Sequence, residues 1–346
     1  MTAFSHWLRN ILTAAGFMLA ASASASASAS ASASAVAVAA AEASLEEVLV
    51  TGQQPGPGLW KVTRAGDASG HVLWILGNHS PLPKNMTWRS TELETVLASS
   101  QELLAPATVN ASAGPLGGVT LLPSLIGVRR NPDGARLQEV LPPELYARWL
   151  PLKARYLGND DDVEQWRPIF AAQELYRAAL KEKGLVPYEG VWPRVEKLAR
   201  RSKLRITEPE IDLKIAKART AIKEFKTTPL SDVECFARTL QRLESDLDLM
   251  RERANAWAVG DVARLRSLAP VERASACIGM VLESSFMQER GYGDLLDRLR
   301  TAWVAAAEQS LARNASTVAV LSIDEILKPD GYVDELRRKG YVIEDP

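Results

Sequence analysis

Two short apolar runs, about 240 residues apart, constrain this chain more than anything else in it. The first, Val72-Leu-Trp-Ile-Leu76, is stopped by Gly77; the second, Thr317-Val-Ala-Val-Leu-Ser322, leads into an acidic pair. Neither alternates with polar residues, so neither offers a face to water, and each reads as a strand buried on both sides. Strands of that kind sit inside a sheet, and the two are predicted to lie next to each other in one. A strand that runs into glycine brings its backbone within reach of a ligand. Gly77, Asn78, His79 and Ser80 are therefore expected at the mouth of any site, with Asp324 beside them.

Leu59 to Arg64 and His71 to Leu76 form a predicted hairpin around the turn from Ala65 to Gly70. Thr91 and Glu94 make a capping-box pattern ahead of a helix with Leu93, Val96 and Leu97 on one face. Glu102 to Val109 is a candidate third strand limited by Pro106, and glycines and prolines from Gly114 to Gly134 mark a long loop. From Pro142 the pattern turns helical. Helices are predicted over Glu144 to Tyr156, bent or ended near Pro151, then Trp166 to Lys183, Pro193 to Arg201 and Ile211 to Lys226. The longest starts at Ser231 and carries the stripe Phe236, Leu240, Leu243, Leu247, Met250. Further helix is predicted through Met280 and from Asp294 to Ala312, and a short strand at Leu204 to Thr207. The end reads strand, turn, helix, strand, closing on Tyr341-Val-Ile343. The class is α+β: a central mixed sheet built from N- and C-terminal strands, with a long helical insertion, about residues 142–315, covering it.

The first ten residues carry Arg9 and no acid; a short apolar core and an Ala-Ser repeat follow. This is the plan of a secretory signal peptide, expected over residues 1–25, with an Ala/Ser tether at 26–44 and the domain at 45–346. The apolar core spans about ten residues, and a bilayer crossing takes about twenty. Leu45 to Thr51 reads as an edge strand or linker end. Export predicts a periplasmic or secreted protein, where thiols oxidise, so Cys235 and Cys277 are expected as a disulfide. Lys+Arg 41 against Asp+Glu 42 leaves a net charge of -1. That is no excess with which to neutralise phosphates, which argues against nucleic acid as a partner. The basic cluster from Arg194 to Arg205 reads as a solvated helix face.

Three histidines are present, and His6 lies in the predicted signal. His71 and His79 stand at opposite ends of one strand, about 25 Å apart in extended chain, and cannot share a metal. No G-x-S-x-G elbow and no phosphate-cradling glycine loop occurs. Trp166, Trp192, Trp257 and Trp303 fall in or beside helical apolar stripes and read as core.

Both ends of the chain resemble those of the TraB/GumN family. Leu59-Trp-Lys-Val62, the strand into Gly77 and Pro81-Leu-Pro83 are similar to its N-terminal signature, whose second strand ends Gly-Thr-x-His before a Leu-Pro turn. Pro329-Asp-Gly331 and Gly340-Tyr341 are similar to its C-terminal one, where a buried strand ends Gly-Ala-Gly-His-Leu before a Gly-Pro-Asp-Gly-like turn. The resemblance implies a metal-hydrolase site of the Tiki protease type, using two histidines and a glutamate. This chain departs at all three. Counted from Gly77, the first histidine falls on Ser80, with His79 one residue early; the glutamate falls near Ala105 or Pro106; the Gly-His pair maps to Asp324-Glu325.

The resemblance with these departures implies a degenerate site: a non-catalytic binding or envelope-associated module without a cofactor, whose partner is an envelope protein or peptide. Two alternatives stand. One is a peptidase or related hydrolase using a divalent metal at a site rebuilt around His79 and Glu325, with Asp324 and Glu102 as further ligands. The other is a structural or interaction protein acting through the helical region. A cleft at the strand ends favours the first; a filled mouth and an exposed helical patch favour the second.

Overall fold

The computed structural model describes residues 55–66, 69–113, 117–186, 191–228, 230–268 and 274–346. The predicted signal peptide, tether and Leu45-to-Thr51 segment lie outside the described residues. The described residues form ten strands: β1 Leu59–Arg64, β2 Val72–Asn78, β3 Leu82–Pro83, β4 Glu102–Leu104, β5 Thr108–Ser112, β6 Leu185–Val186, β7 Arg205–Thr207, β8 Glu210–Lys214, β9 Ser316–Ser322 and β10 Tyr341–Glu344. Six of them form the main sheet, in the order β10-β1-β2-β9-β4-β7. The hairpin β1-β2 and the pair β1-β10 are antiparallel. From β2 through β9 and β4 to β7 the strands run parallel.

The two apolar runs are adjacent, in register from Val72 opposite Ser316 to Asn78 opposite Ser322. Leu73, Ile75, Val318, Ala319 and Val320 are all fully buried, because helices cover both faces, as a parallel sheet requires. The fold is the expected α+β arrangement, with N- and C-terminal strands meeting in one mixed sheet. One buried cluster surrounds that sheet and includes Trp60, Leu97, Leu103, Trp257 and Trp303. A second lies among the helices of the insertion, around Trp149, Leu175, Phe236 and Leu240. Among the described residues no helix is long and apolar enough to cross a membrane.

Several local expectations need correction. Ile211 to Lys226 is not one helix: its first part is β8, paired with β5, and helix begins only at Ala218. Ile211, Leu213 and Ile215 alternate with charged or small residues, a period of two that a strand satisfies and a helix does not. The stretch from Glu102 to Val109 divides into β4 and β5 around Pro106, which cannot donate to a ladder. The helix beginning at Ser231 ends at Ser245, and a second runs from Leu247 to Ala258. Asp246 stands between them with non-helical backbone angles, consistent with aspartate's preference for caps over helix interiors. Among the described residues the longest helix is instead Leu295–Arg313. Helix Thr91–Ser99 has Ser90, not Thr91, at its N-cap, and the Ser90 hydroxyl donates to Glu94. Helix Pro143–Tyr156 continues through Pro151. Cys235 and Cys277 are joined, with their Cα atoms 5.2 Å apart.

Candidate functional site

The parallel strands β2, β9, β4 and β7 all exit on the same end of the sheet, the place where an α/β arrangement puts a site. At the β2 exit Gly77 has no room for a side chain: a Cβ there would stand 2.6 Å from Ile323 Cδ1. Its carbonyl accepts a hydrogen bond from Trp257 Nε1 at 2.7 Å. The Asn78 side-chain oxygen accepts from the Val191 amide at 3.2 Å. His79 is 1% exposed, its ring stacked against Trp257 with centroids 6.4 Å apart. Trp257 also meets Trp88 edge-on at 5.5 Å, and the Arg194 guanidinium lies 4.3 Å above Trp88. Ser80 follows, half-buried, before β3. The mouth at β2 is thus filled with indole and imidazole.

At the β9 exit a short helix, Ile323–Leu327, carries Asp324 and Glu325 in its first turn. Asp324 forms an ion pair with Arg253, 2.7 Å from Nη2 to Oδ1. Glu325 lies near Tyr332; burial, together with that carboxylate, pushes the Tyr332 phenol up to about 12. The Pro329-Asp-Gly331 turn folds back under the same helix, since a Cβ on Gly331 would meet the Glu325 carbonyl at 2.3 Å. The expected nearness of the two exits holds at the backbone, where Asn78 is opposite Ser322. Their side chains, however, turn to different partners: Asn78 to Val191, His79 to Trp257 and Asp324 to Arg253.

Glu102 does not join them. It opens β4 opposite Thr317, five residues before Ser322, so it sits about 16 Å away at the amino end of the sheet. There it is wholly buried and accepts from Thr207, Arg205 and Asn314. Burial raises its pKa, but those hydrogen bonds outweigh it and hold Glu102 below the ordinary glutamate value. Ala105, where the resemblance puts a glutamate, is buried in the β4 exit with its amide on the Thr207 carbonyl. His71 lies at the far end of β2, its Nδ1 2.8 Å from the Leu311 carbonyl.

Residues 58–345 match the sequence model of the TraB/PrgY/gumN family. The chain belongs to that family. Neither curated proteins nor solved structures match it. The metal that the family resemblance implies does not fit the residues present in this TraB/PrgY/gumN chain. Ser80 and Ala105, which stand where the resemblance puts a histidine and a glutamate, offer no strong ligand. Asp324 already faces a guanidinium. Among the described residues no three His, Cys, Asp or Glu side chains converge where they could hold a metal ion.

Arg253, Trp257 and Trp88 are the residues of this mouth that sequence reasoning did not place. One signal was legible: Arg253 falls on the apolar stripe of its helix, three residues after Met250 and four before Trp257. A charge on a buried stripe asks for a partner. Away from the strand ends, a cleft of about 790 Å³ opens in the helical insertion, lined by Pro142, Leu145, Arg148, Arg167, Thr228 and Asp232 among others.

Proposed function

We propose that this TraB/PrgY/gumN protein is exported to the periplasm or secreted, and that it is a non-catalytic binding or envelope-associated module whose hydrolase site has decayed. The observation that carries this reading is the closed mouth: His79 is buried against Trp257 while the β9 carboxylate is held by Arg253. A hydrolytic metal must be held firmly with one coordination position open to lower the pKa of its water. Asp324 is committed to Arg253 and His79 is packed among aromatic rings, which supports a mouth that does not hold such a metal. Export rests on the N-terminal pattern and agrees with the Cys235–Cys277 bond.

A second reading, interaction through the helical region, has its own support. Leu122 and Ile126 are 53% and 76% exposed, one turn apart. Lys226, which lines the 790 Å³ cleft, donates to the Ile126 carbonyl at 2.7 Å, so apolar patch and cleft adjoin. The partner is then an envelope protein or peptide held at that surface.

Metal analysis of the mature protein, purified without chelator, tests the first reading. Far less than one equivalent of zinc, manganese or cobalt is expected. Stoichiometric metal that disappears in His79→Ala or Glu325→Ala overturns it and restores the rebuilt hydrolase. The mass of the mature chain tests export: cleavage within the first 44 residues is expected, and an intact N-terminus on cell fractionation into the cytoplasm refutes it.

A further inference from the structure

We infer that Arg253 is a built-in cation that takes the place of a metal at the sheet's carboxyl end, and that helix Leu247–Ala258 is a plug carrying it. The inference rests on the non-metal reading of the mouth and says what occupies it. The Arg253 side chain is 2% exposed, and removing a guanidinium from water costs several kcal/mol unless acceptors meet it. Asp324 Oδ1 at 2.7 Å, the Leu265 carbonyl at 3.1 Å and the Leu268 carbonyl at 2.9 Å all meet it. Leu265 and Leu268 lie in the last turn and at the C-cap of helix Val262–Ser267, where carbonyls lack helical partners and the helix dipole is negative. The site is therefore shaped for a planar, forked cation, with two nitrogens directed to different oxygens.

The position of this helix strengthens the assignment. Arg253 and Trp257 are four residues apart and share one face. Arg253 reaches the β9 exit through Asp324, and Trp257 reaches the β2 exit through the Gly77 carbonyl. These are the two exits where the family's histidines would stand. One helix of the insertion thus seals both, one with charge and one with an indole.

The test is cavity rescue in Arg253→Ala. The variant is expected to melt lower than the wild type by roughly 10 °C, because Asp324 and two carbonyls lose their partner. Low-millimolar guanidinium chloride is expected to recover at least half of that loss and to leave the wild type unchanged. Tetramethylammonium chloride and zinc chloride are expected to recover none. An Arg253→Ala variant that melts with the wild type overturns the inference, as does rescue by zinc equal to that by guanidinium, or no rescue by guanidinium. Should Arg253→Ala fail to fold, Asp324→Asn and the double variant Arg253→Met/Asp324→Asn decide. The double variant should melt above Asp324→Asn, since it removes a buried guanidinium that has lost its carboxylate; a lower melt refutes the plug. Stoichiometric metal in the wild type would instead sink the non-catalytic reading, so the two failures are told apart.

Discussion

The two ends of the main sheet each hold an acid–base cluster, and they are built in opposite senses. At the amino end the acid is buried and the cations are not: Glu102 is fully enclosed, while the side chains of Arg205 and Arg313 are 53% and 51% exposed. At the carboxyl end the cation is buried and the acid is partly open, Arg253 at 2% and Asp324 at 18%. Glu102 is served by several donors, among them Asn314 and Thr207, so no single one is decisive. Arg253 in turn is met by the Asp324 carboxylate and by the Leu265 and Leu268 carbonyls. A buried acid among half-exposed cations at one end, and a buried cation facing a partly open acid at the other, should make the ends respond differently to mutation.

The largest effect is expected at the carboxyl end. Asp324→Ala takes the carboxylate away from a buried guanidinium and should cost about 3 to 5 kcal/mol in urea unfolding. A loss under about 1 kcal/mol would break the comparison. Opening the Cys235–Cys277 bond should cost about 3 to 4 kcal/mol, since it closes a loop with a sequence separation of 42 residues. This loss should fall on the insertion and leave both sheet ends unaltered; thiol titration under denaturing, non-reducing conditions should find no free thiol beforehand. Glu102→Gln keeps the shape and removes the charge, and about 2 kcal/mol is expected at neutral pH. Its pH dependence sharpens the contrast. The folded Glu102 carboxyl titrates below the ordinary value of 4.5, so its stabilisation is complete above that pH and fades as pH falls through the lower folded value. Stability of Glu102→Gln should accordingly decline less steeply with acid than that of the wild type below pH 4.5. The smallest effect is expected for Arg205→Ala, under about 1 kcal/mol, because an exposed arginine contributes little and other donors remain on Glu102.

How far each end was legible follows from what kind of signal it left. The β2 and β9 runs declared themselves because burial on both faces demands uninterrupted apolar side chains, and their pairing was expected because both read as central strands. The glycine at the β2 exit and the Pro-Asp-Gly turn after β9 were readable for a related reason, since both mark places where backbone approaches backbone or side chain too closely for a Cβ. β8 was misread because its two-residue alternation is short and bordered by helical pattern, and only the pairing with β5 resolves it. Glu102 was readable as a strand residue but not as a buried ion.

By itself, then, the chain's sequence determined the two central strands and the likeness of its ends to those of the TraB/PrgY/gumN family. Tertiary structure alone decided what stands at the strand exits. Local periodicity reports which face of a segment is buried, and it shows Arg253 on such a face. It does not report which acceptor meets that charge, because Asp324 is 71 residues away and the carbonyls of Leu265 and Leu268 are backbone groups that no residue type reveals. A buried charge is settled by long-range packing, which no local pattern reports.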